Sequence, residues 1–374
     1  MSQAADPSFF QHFANIEDPR IDRMKRHQLL DILFIAVCAV IAGVNDFAGM
    51  ETFGKAKLDW FKKFLKLPNG IPSHDTFGRV FAAIKPKSFH CCFTSWVTSV
   101  FEITKGALVN VDGKTSRASG DDNLDQKPLH IVSAWATANR LVLGQVVVDS
   151  KSNEITAIPQ LLEMLELHGA IITLDAMGCQ KEIVEQIREQ GADYVITVKA
   201  NQEHLEEDIR THFDKIDEGK VKDKVSVHET EEQEHGRQEQ RRYEAVAVPK
   251  KVRHQEEWRD LKSIVRATRT WQENETEKTE VRYFISSLAP KAVKLSEAIR
   301  GHWGIENNLH WVLDMYFGDD RSRARRRHAG ENLGLLRRWV LSLLRQDETM
   351  TGSIAKKRLT CCANTQQLAS VLGL

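Results

Sequence analysis

The pattern of apolar and polar positions changes character several times along this chain. The first hundred residues repeat at helical spacing. Leu29 to Ala42 is apolar on most sides, as a helix buried inside a small bundle would be. Asp46 is placed to cap a short helix through Ala56, and Leu58 to Leu65 puts Trp60, Phe61, Phe64 and Leu65 at helical spacing before Pro68-Asn69-Gly70 stops it. Ser73 is a fitting N-cap for a helix from His74 to Ile84, and Pro86 opens another through Phe101. Short helices joined by tight turns fit a plain bundle, and equally a helix-turn-helix reader of DNA with the Ser73 helix as its recognition element.

From Ala107 to Ala200 the pattern becomes strand-like. Ala107–Asp112, His130–Thr137 and Arg140–Val148 read as strands, followed by a helix from Glu154 to Leu167, a strand from Ala170 to Asp175, a helix from Gln180 to Gln190 and a strand from Tyr194 to Val198. Three strands, then helix, strand, helix, strand predict an α/β class with a mixed sheet, in the order of the ribonuclease-H-like fold. The first and fourth strands are neighbours in that order, and each ends on an acid. Asp112 and Asp175 are therefore expected side by side at the carboxyl ends of strands, where open sheets place their sites. Two such carboxylates suit Mg²⁺ or Mn²⁺, and ions paired roughly 4 Å apart can clamp both oxygens of a phosphoryl displacement. Each Asp alone is also an ordinary turn residue; the pairing is what favours a site.

After Asn201 the chain is rich in charge and holds no long apolar run before Glu257. Glu203 to Phe213 is predicted helical. Val225–Thr230 and Arg241–Val248 alternate like exposed hairpin strands turning at His235-Gly236, and Leu261–Trp271 and Glu280–Ser286 read as two more strands. Leu295 to Phe317 is helical again. His302, Glu306, His310 and Asp314 recur every four residues on one face, beside an apolar stripe of Ile305, Leu309, Val312 and Tyr316. The spacing is not that of a zinc protease, since the histidines stand eight apart. Glu331 to Leu344 is an amphipathic helix expected to dock through Leu333, Leu336, Val340 and Leu343.

Composition narrows the class. The chain has 374 residues, 41% hydrophobic and 28% charged, enough for two or three folded domains. Formal net charge is zero, so binding to nucleic acid must come from local patches. One such patch follows Arg321, where eleven Lys or Arg stand against Glu331, Asp347 and Glu348 alone. Six cysteines without a Cys-x-x-Cys pair point to reduced thiols rather than zinc. The apolar run at Leu29–Val44 is too short for a bilayer and carries Asp31; with no leader pattern, a cytoplasmic protein without a membrane partner is expected. Gly113-Lys114-Thr115 is similar to the end of a phosphate-binding loop, but Leu108 stands where that loop needs glycine, which excludes an NTPase.

Several segments then coincide with one family. Val111-Asp-Gly-Lys-Thr115, Lys151–Pro159, Asp175–Gln180, Val281–Ser287, His302-Trp-Gly-Ile-Glu-Asn307, Asp320–Arg323, Asp31-Ile-Leu and Asp75-Thr-Phe span nearly the whole length. The chain resembles the H-repeat-associated, ISAs-type insertion-sequence transposases of the DDE class. That resemblance implies a catalytic and metal-binding triad of Asp112, Asp175 and Glu306, with Mg²⁺ or Mn²⁺ as cofactor. It also implies DNA as partner, both element ends and target, bound by a homo-oligomer. Many related transposases carry Arg four residues before the Glu and Lys seven after it; here those places hold His302 and Leu313, with Arg300 the nearest upstream base. Lys199-Ala-Asn201-Gln has Ala where the resemblance leads one to expect Gly. The expected DNA contacts are Lys114, Arg117, Lys199, Asn201, Arg300, His302, His310, Arg325, Arg326 and Arg327.

The expected organisation is a helical, candidate DNA-binding domain at 1–104, a ribonuclease-H-like core at 105–200 and 280–320, a β-rich insertion at 201–279 and a basic helical tail at 321–374. The function implied is metal-dependent strand cleavage at element ends and strand transfer into target DNA. The alternatives are a relic that binds DNA without cutting it, and a metal-dependent nuclease without strand transfer.

Overall fold

The computed structural model describes residues 9–22, 25–100, 105–121, 127–148, 154–234, 237–273 and 276–374. The expected strands and helices of the middle segment form in the expected order: β1 (Leu108–Ser116), β2 (Leu129–Ala136), β3 (Leu141–Val148), α7 (Glu154–Glu163), β4 (Ile171–Leu174), α8 (Lys181–Glu189) and β5 (Asp193–Val198). The first three strands are antiparallel, and β4 and β5 run parallel to β1. This gives the sheet order β3-β2-β1-β4-β5 of a ribonuclease-H-like core. β1 runs further than its apolar run suggests, because it keeps pairing with β2 as far as Ser116↔Leu129. Gly113-Lys114-Thr115 is therefore strand, not loop.

The sheet does not stop at β5. After α9 (Glu203–Asp217), the strands β6 (Ser226–Glu234), β7 (Arg237–Ala247), β8 (Ser263–Glu273) and β9 (Thr276–Ser286) extend it to nine, with β9 antiparallel to β5. These strands outrun their apolar stretches because charges pair across them: Arg241 with Glu232 at 2.6 Å, Arg269 with Glu239 at 2.7 Å. Such cross-strand pairs stabilise a hairpin without a buried side. The expected turn at His235-Gly236 lies outside the described residues.

Helices cover the β3-β2-β1 end. They are α1 (Phe9–Phe13), α2 (Leu29–Ile41), α3 (Phe47–Ala56), α4 (Leu58–Phe61), α5 (His74–Ala83) and α6 (Pro86–Val100). Every residue of α2 except Leu30 is buried, as its all-round apolarity demands. Asp46 caps α3, its Oδ1 accepting the Gly49 N–H at 2.7 Å. Ser73 opens α5, but its hydroxyl meets Thr76 Oγ1, and Glu51 takes the His74 N–H instead. Phe77, Val80, Phe81 and Ala82 of α5 are buried, so His74, Asp75 and Arg79 are what it exposes. No helix of the described residues is long and apolar enough to cross a membrane.

The chain closes with α10 (Ala292–Ile305), a π-helical turn (Glu306–His310), α11 (Trp311–Phe317), α12 (Ala329–Gln346), α13 (Ile354–Ala363) and α14 (Thr365–Val371). α12 packs against α2, α5, α6 and β3 and is buried on nearly every side. The basic excess after Arg321 is therefore only partly a surface feature. Arg337 pairs with Asp319 at 2.9 Å, Arg338 donates to Ser133 at 3.1 Å, Lys357 donates to the Leu344 carbonyl and Arg358 to that of Val40. All four are buried. These cations hold the C-terminal helices to the core; Arg321, Arg323, Arg326 and Arg327 remain exposed or half-buried at the surface.

Candidate active site

The β1–β4 ladder ends at Val111↔Leu174, so Asp112 and Asp175 emerge together from its end. Asp175 is oriented by the N–H groups of Met177 at 2.9 Å and Gly178 at 3.3 Å, and Asp112 by that of Gly113 at 2.9 Å. Donor atoms of Asp112, Asp175 and Glu154 all lie within 4.8 Å of one another. Glu154 opens α7 and is held there by His130, whose Nε2 is 2.8 Å from its Oε1; Thr115 Oγ1 fixes the other ring nitrogen at 2.7 Å. A Cβ at position 113 would overlap both His130 Nε2 and Glu154 Oε1, so glycine is what leaves room for this pair beside Asp112.

The opposite flank comes from the α10–α11 rod. Gly301 lets it lie on β1, since a Cβ there would run into the Leu108 side chain. Asn110 on β1 donates to the Gly301 carbonyl at 2.6 Å, and Thr173 on β4 meets Asn110 and His302 Nδ1, each at 2.9 Å. Four residues of α-helix overshoot one turn by about 40°, so a row from His302 to Asp314 would wind about 120° around a regular helix. The π turn at Glu306–His310 takes back part of that drift, and such turns cluster at functional sites. Along the row, His302 meets β4, Glu306 and His310 meet Asp112, and Asp314 meets Lys114 at 2.7 Å. Donor atoms of Asp112, Glu306 and His310 also lie within 4.8 Å of one another. Asp112 thus stands in two clusters at once.

The charges in this corner repel. Burial, and then the Glu306 charge, push the Asp112 carboxyl up to about 8. Asp175 is raised by burial and by Glu154, against the pull of Lys199. Glu306, its side chain 65% exposed, is held down at about 2, chiefly by His310. Burial lowers His310 and takes His302 down to about 4. Clustered carboxylates that resist ionising together, with a neutral imidazole beside them, fit the donor set of divalent cations.

The expected DNA contacts scatter. Lys114 is buried between Asp314 and Asp320, at 2.7 and 3.1 Å. His302 and His310 point into the protein. Arg300 reaches β6 and pairs with Glu232 at 2.6 Å. Arg325 is tied to Asp121 at 2.5 Å, and Asn201 donates to the Ala176 carbonyl at 2.7 Å, bracing the loop after Asp175. Arg117, Lys199, Arg326 and Arg327 are exposed. Sequence reasoning missed Glu154 and its partner His130. The one signal for Glu154 was its place inside the Lys151–Pro159 segment; residues 151–153 lie outside the described residues.

Residues 10–97 match a family described as DDE_Tnp_1-associated, and residues 104–343 match the Transposase DDE domain. The "Putative transposase YncI" of Escherichia coli O157:H7 is 40% identical over 371 residues, 98% of this chain and 94% of that one. The "H repeat-associated putative transposase YhhI" of Escherichia coli K12 is 38% identical over 370 residues, 97% of each. A piggyBac transposase synaptic complex with hairpin DNA superposes with a TM-score of 0.45 at 10% identity, over 99% of this chain and 78% of that one, too distant a likeness to build on. The match across both regions and nearly full-length relatives lead to one conclusion: the chain belongs to the H repeat-associated DDE transposases.

Proposed function

We propose that this chain is an active transposase in which Asp112, Asp175 and Glu306 hold two divalent ions, Mg²⁺ or Mn²⁺, for cutting DNA at element ends and joining those ends to target DNA. The observation that carries the reading is the double membership of Asp112: one carboxylate stands between Asp175 on one side and Glu306 on the other. Asp112, Asp175 and Glu306 would hold the ions, which when bound would supply Lewis-acid stabilisation to the attacking and leaving oxygens of an in-line displacement. Both steps, water on the end phosphate and the freed 3′-hydroxyl on a target phosphate, are displacements of that kind.

The chain's own residues divide the remaining work. Gly113, Met177 and Gly178 orient the two Asp carboxylates through their N–H groups. Glu306, largely exposed, leaves the helix side of the site open to a DNA strand. Lys199 sits close enough to Asp175 to lower its proton affinity, and with exposed Arg117, Arg326 and Arg327 it is proposed to meet phosphates. Duplex affinity should fall with salt, and Arg326→Ala with Arg327→Ala should flatten that dependence by up to about two units of slope.

The test is a donor plasmid carrying this gene with its natural flanks, incubated with purified chain, Mg²⁺ and a target plasmid. Cleavage at inverted repeats outside the reading frame followed by joining is the expected result. Cleavage without joining would leave a nuclease. Binding without cleavage would leave a relic.

A further inference from the structure

The two flanks of Asp112 differ in chemistry. On the Asp175 side every donor is a carboxylate oxygen. On the Glu306 side one donor is an imidazole, that of His310. His310 ends the π turn and is 4% exposed, packed beside buried Leu309 and Leu313. Its Nδ1 faces Asp112 Oδ2 at 3.6 Å and Glu306 Oε2 at 3.5 Å, too long for a sound hydrogen bond to either. A buried Nδ1 that faces two carboxylates at more than ordinary hydrogen-bond length is uncommon and calls for a reason. Its neighbour His302 shows the usual arrangement, with Nδ1 on Thr173 at 2.9 Å.

We propose that His310 is a nitrogen ligand of the ion held between Asp112 and Glu306, which makes the two ion sites unlike: all-oxygen beside Asp175, mixed nitrogen and oxygen beside Glu306. The inference rests on the two-ion reading above. The spacing suits it: ligands about 2.1 Å from one ion lie roughly 3 to 4.2 Å apart, and Nδ1 stands 3.6 and 3.5 Å from the two acid oxygens. The ring aims Nδ1 at both acids, as a ligand must. A nitrogen donor shifts preference away from Mg²⁺, which demands hard oxygen ligands, toward transition ions such as Mn²⁺. The Glu306 side therefore prefers Mn²⁺ to Mg²⁺, while the Asp175 side takes either ion.

The full chain is titrated with Mn²⁺ and followed by electron paramagnetic resonance, with pulsed detection of nitrogen coupled to the bound ion. Exposed His254, beside Glu256 and Glu257, belongs to the other three-residue donor cluster that contains a histidine among the described residues, so the experiment is run in a His254→Ala background. The expected result is two bound ions per chain, with nitrogen coupling to one. Labelling histidine with ¹⁵N should convert the ¹⁴N pattern, which needs no substitution at the site. His310→Gln should abolish the coupling and weaken one of the two ions at least about tenfold. Mg²⁺ should displace Mn²⁺ more readily from the all-oxygen site. Two bound ions without nitrogen coupling, or coupling that survives His310→Gln, would overturn the inference while leaving the two-ion reading in place. No bound ion at all would remove both.

Discussion

The two flanks of Asp112 are held by different means. On the strand side, backbone pairing does the placing: Val111↔Leu174 brings Asp112 and Asp175 out of the same ladder end. On the helix side, side chains do it, through Gly301 against Leu108, Asn110 on the Gly301 carbonyl and His302 on Thr173. A ladder fixes position through many equivalent bonds, whereas the rod is held by side-chain contacts between distant stretches of chain, these three beside the packing of Leu295, Ala298 and Ile299 on the sheet. The strand flank should therefore tolerate change in its surroundings, and the helix flank should not. Substitutions confined to one flank test this difference.

Asp112 serves both flanks, so it should show the largest effect. Asp112→Asn is expected to cut cleavage by about a thousandfold or more, equivalent to about 4 kcal/mol of barrier, with duplex affinity unchanged. A cleavage assay on end-containing duplex reads this; residual activity near that of the parent would remove Asp112 from the site.

The helix flank offers a paired test one step down. Glu306→Gln keeps the shape of a largely exposed side chain, so it should abolish Mg²⁺-dependent cleavage with the melting temperature nearly unchanged. Asp314→Asn should do the reverse. It weakens the hold on buried Lys114, leaving Asp320, and should cost about 1 to 3 kcal/mol of stability while much of the cleavage survives. Melting curves beside cleavage rates decide, and a Glu306→Gln chain that still cuts would move the third carboxylate to another residue.

On the strand flank the expected effects are milder. Glu154→Gln removes one of three carboxylates beside Asp112 and should weaken one ion about tenfold, leaving the ion at Glu306 as it was. Gly113→Ala should act the same way by displacing the His130–Glu154 pair. Metal titration of both variants tests the independence of the flanks; equal loss at both ions would show that they are one unit.

The smallest effect is on stability without metal. The Asp112 carboxyl, at about 8 in the fold, lies above its unfolded value near 4. Its contribution is therefore full below about pH 4 and is lost as pH rises toward 8. Glu306, held at about 2, contributes above about pH 4.5 and loses its share only as pH falls toward 2, outside that window. In EDTA the melting temperature should fall by a few degrees from pH 5 to pH 8, and less in Asp112→Asn. A profile identical in the two chains would contradict the crowding of charge at Asp112.

The contrast also explains what could be read in the sequence. That Asp112 and Asp175 stand together was legible because each closes an apolar run, and strand order alone makes such ends neighbours. Glu306 stood in a row of four polar residues, and the family resemblance was needed to choose it over Asp314. Glu154 was not legible. An acid in the first turn of a helix is what the helix dipole favours anyway, and only the missing side chain at Gly113 and the reach of His130 make it part of the site. The π turn was hidden because the apolar stripe of Ile305, Leu309 and Val312 survives it, all three being buried. The basic excess after Arg321 misled for a related reason. Counting charges does not separate Arg326 and Arg327, which face solvent, from Arg337, Arg338 and Arg358, which are spent on Asp319, Ser133 and backbone carbonyls.

The sharing of Asp112 between two ions is tested by anomalous diffraction from crystals of the chain soaked in Mn²⁺. Two peaks roughly 4 Å apart are expected, with the Asp112 carboxylate between them, Asp175 on one and Glu306 on the other. A single peak away from Asp112, or none while Mn²⁺ binds elsewhere on the chain, would contradict it.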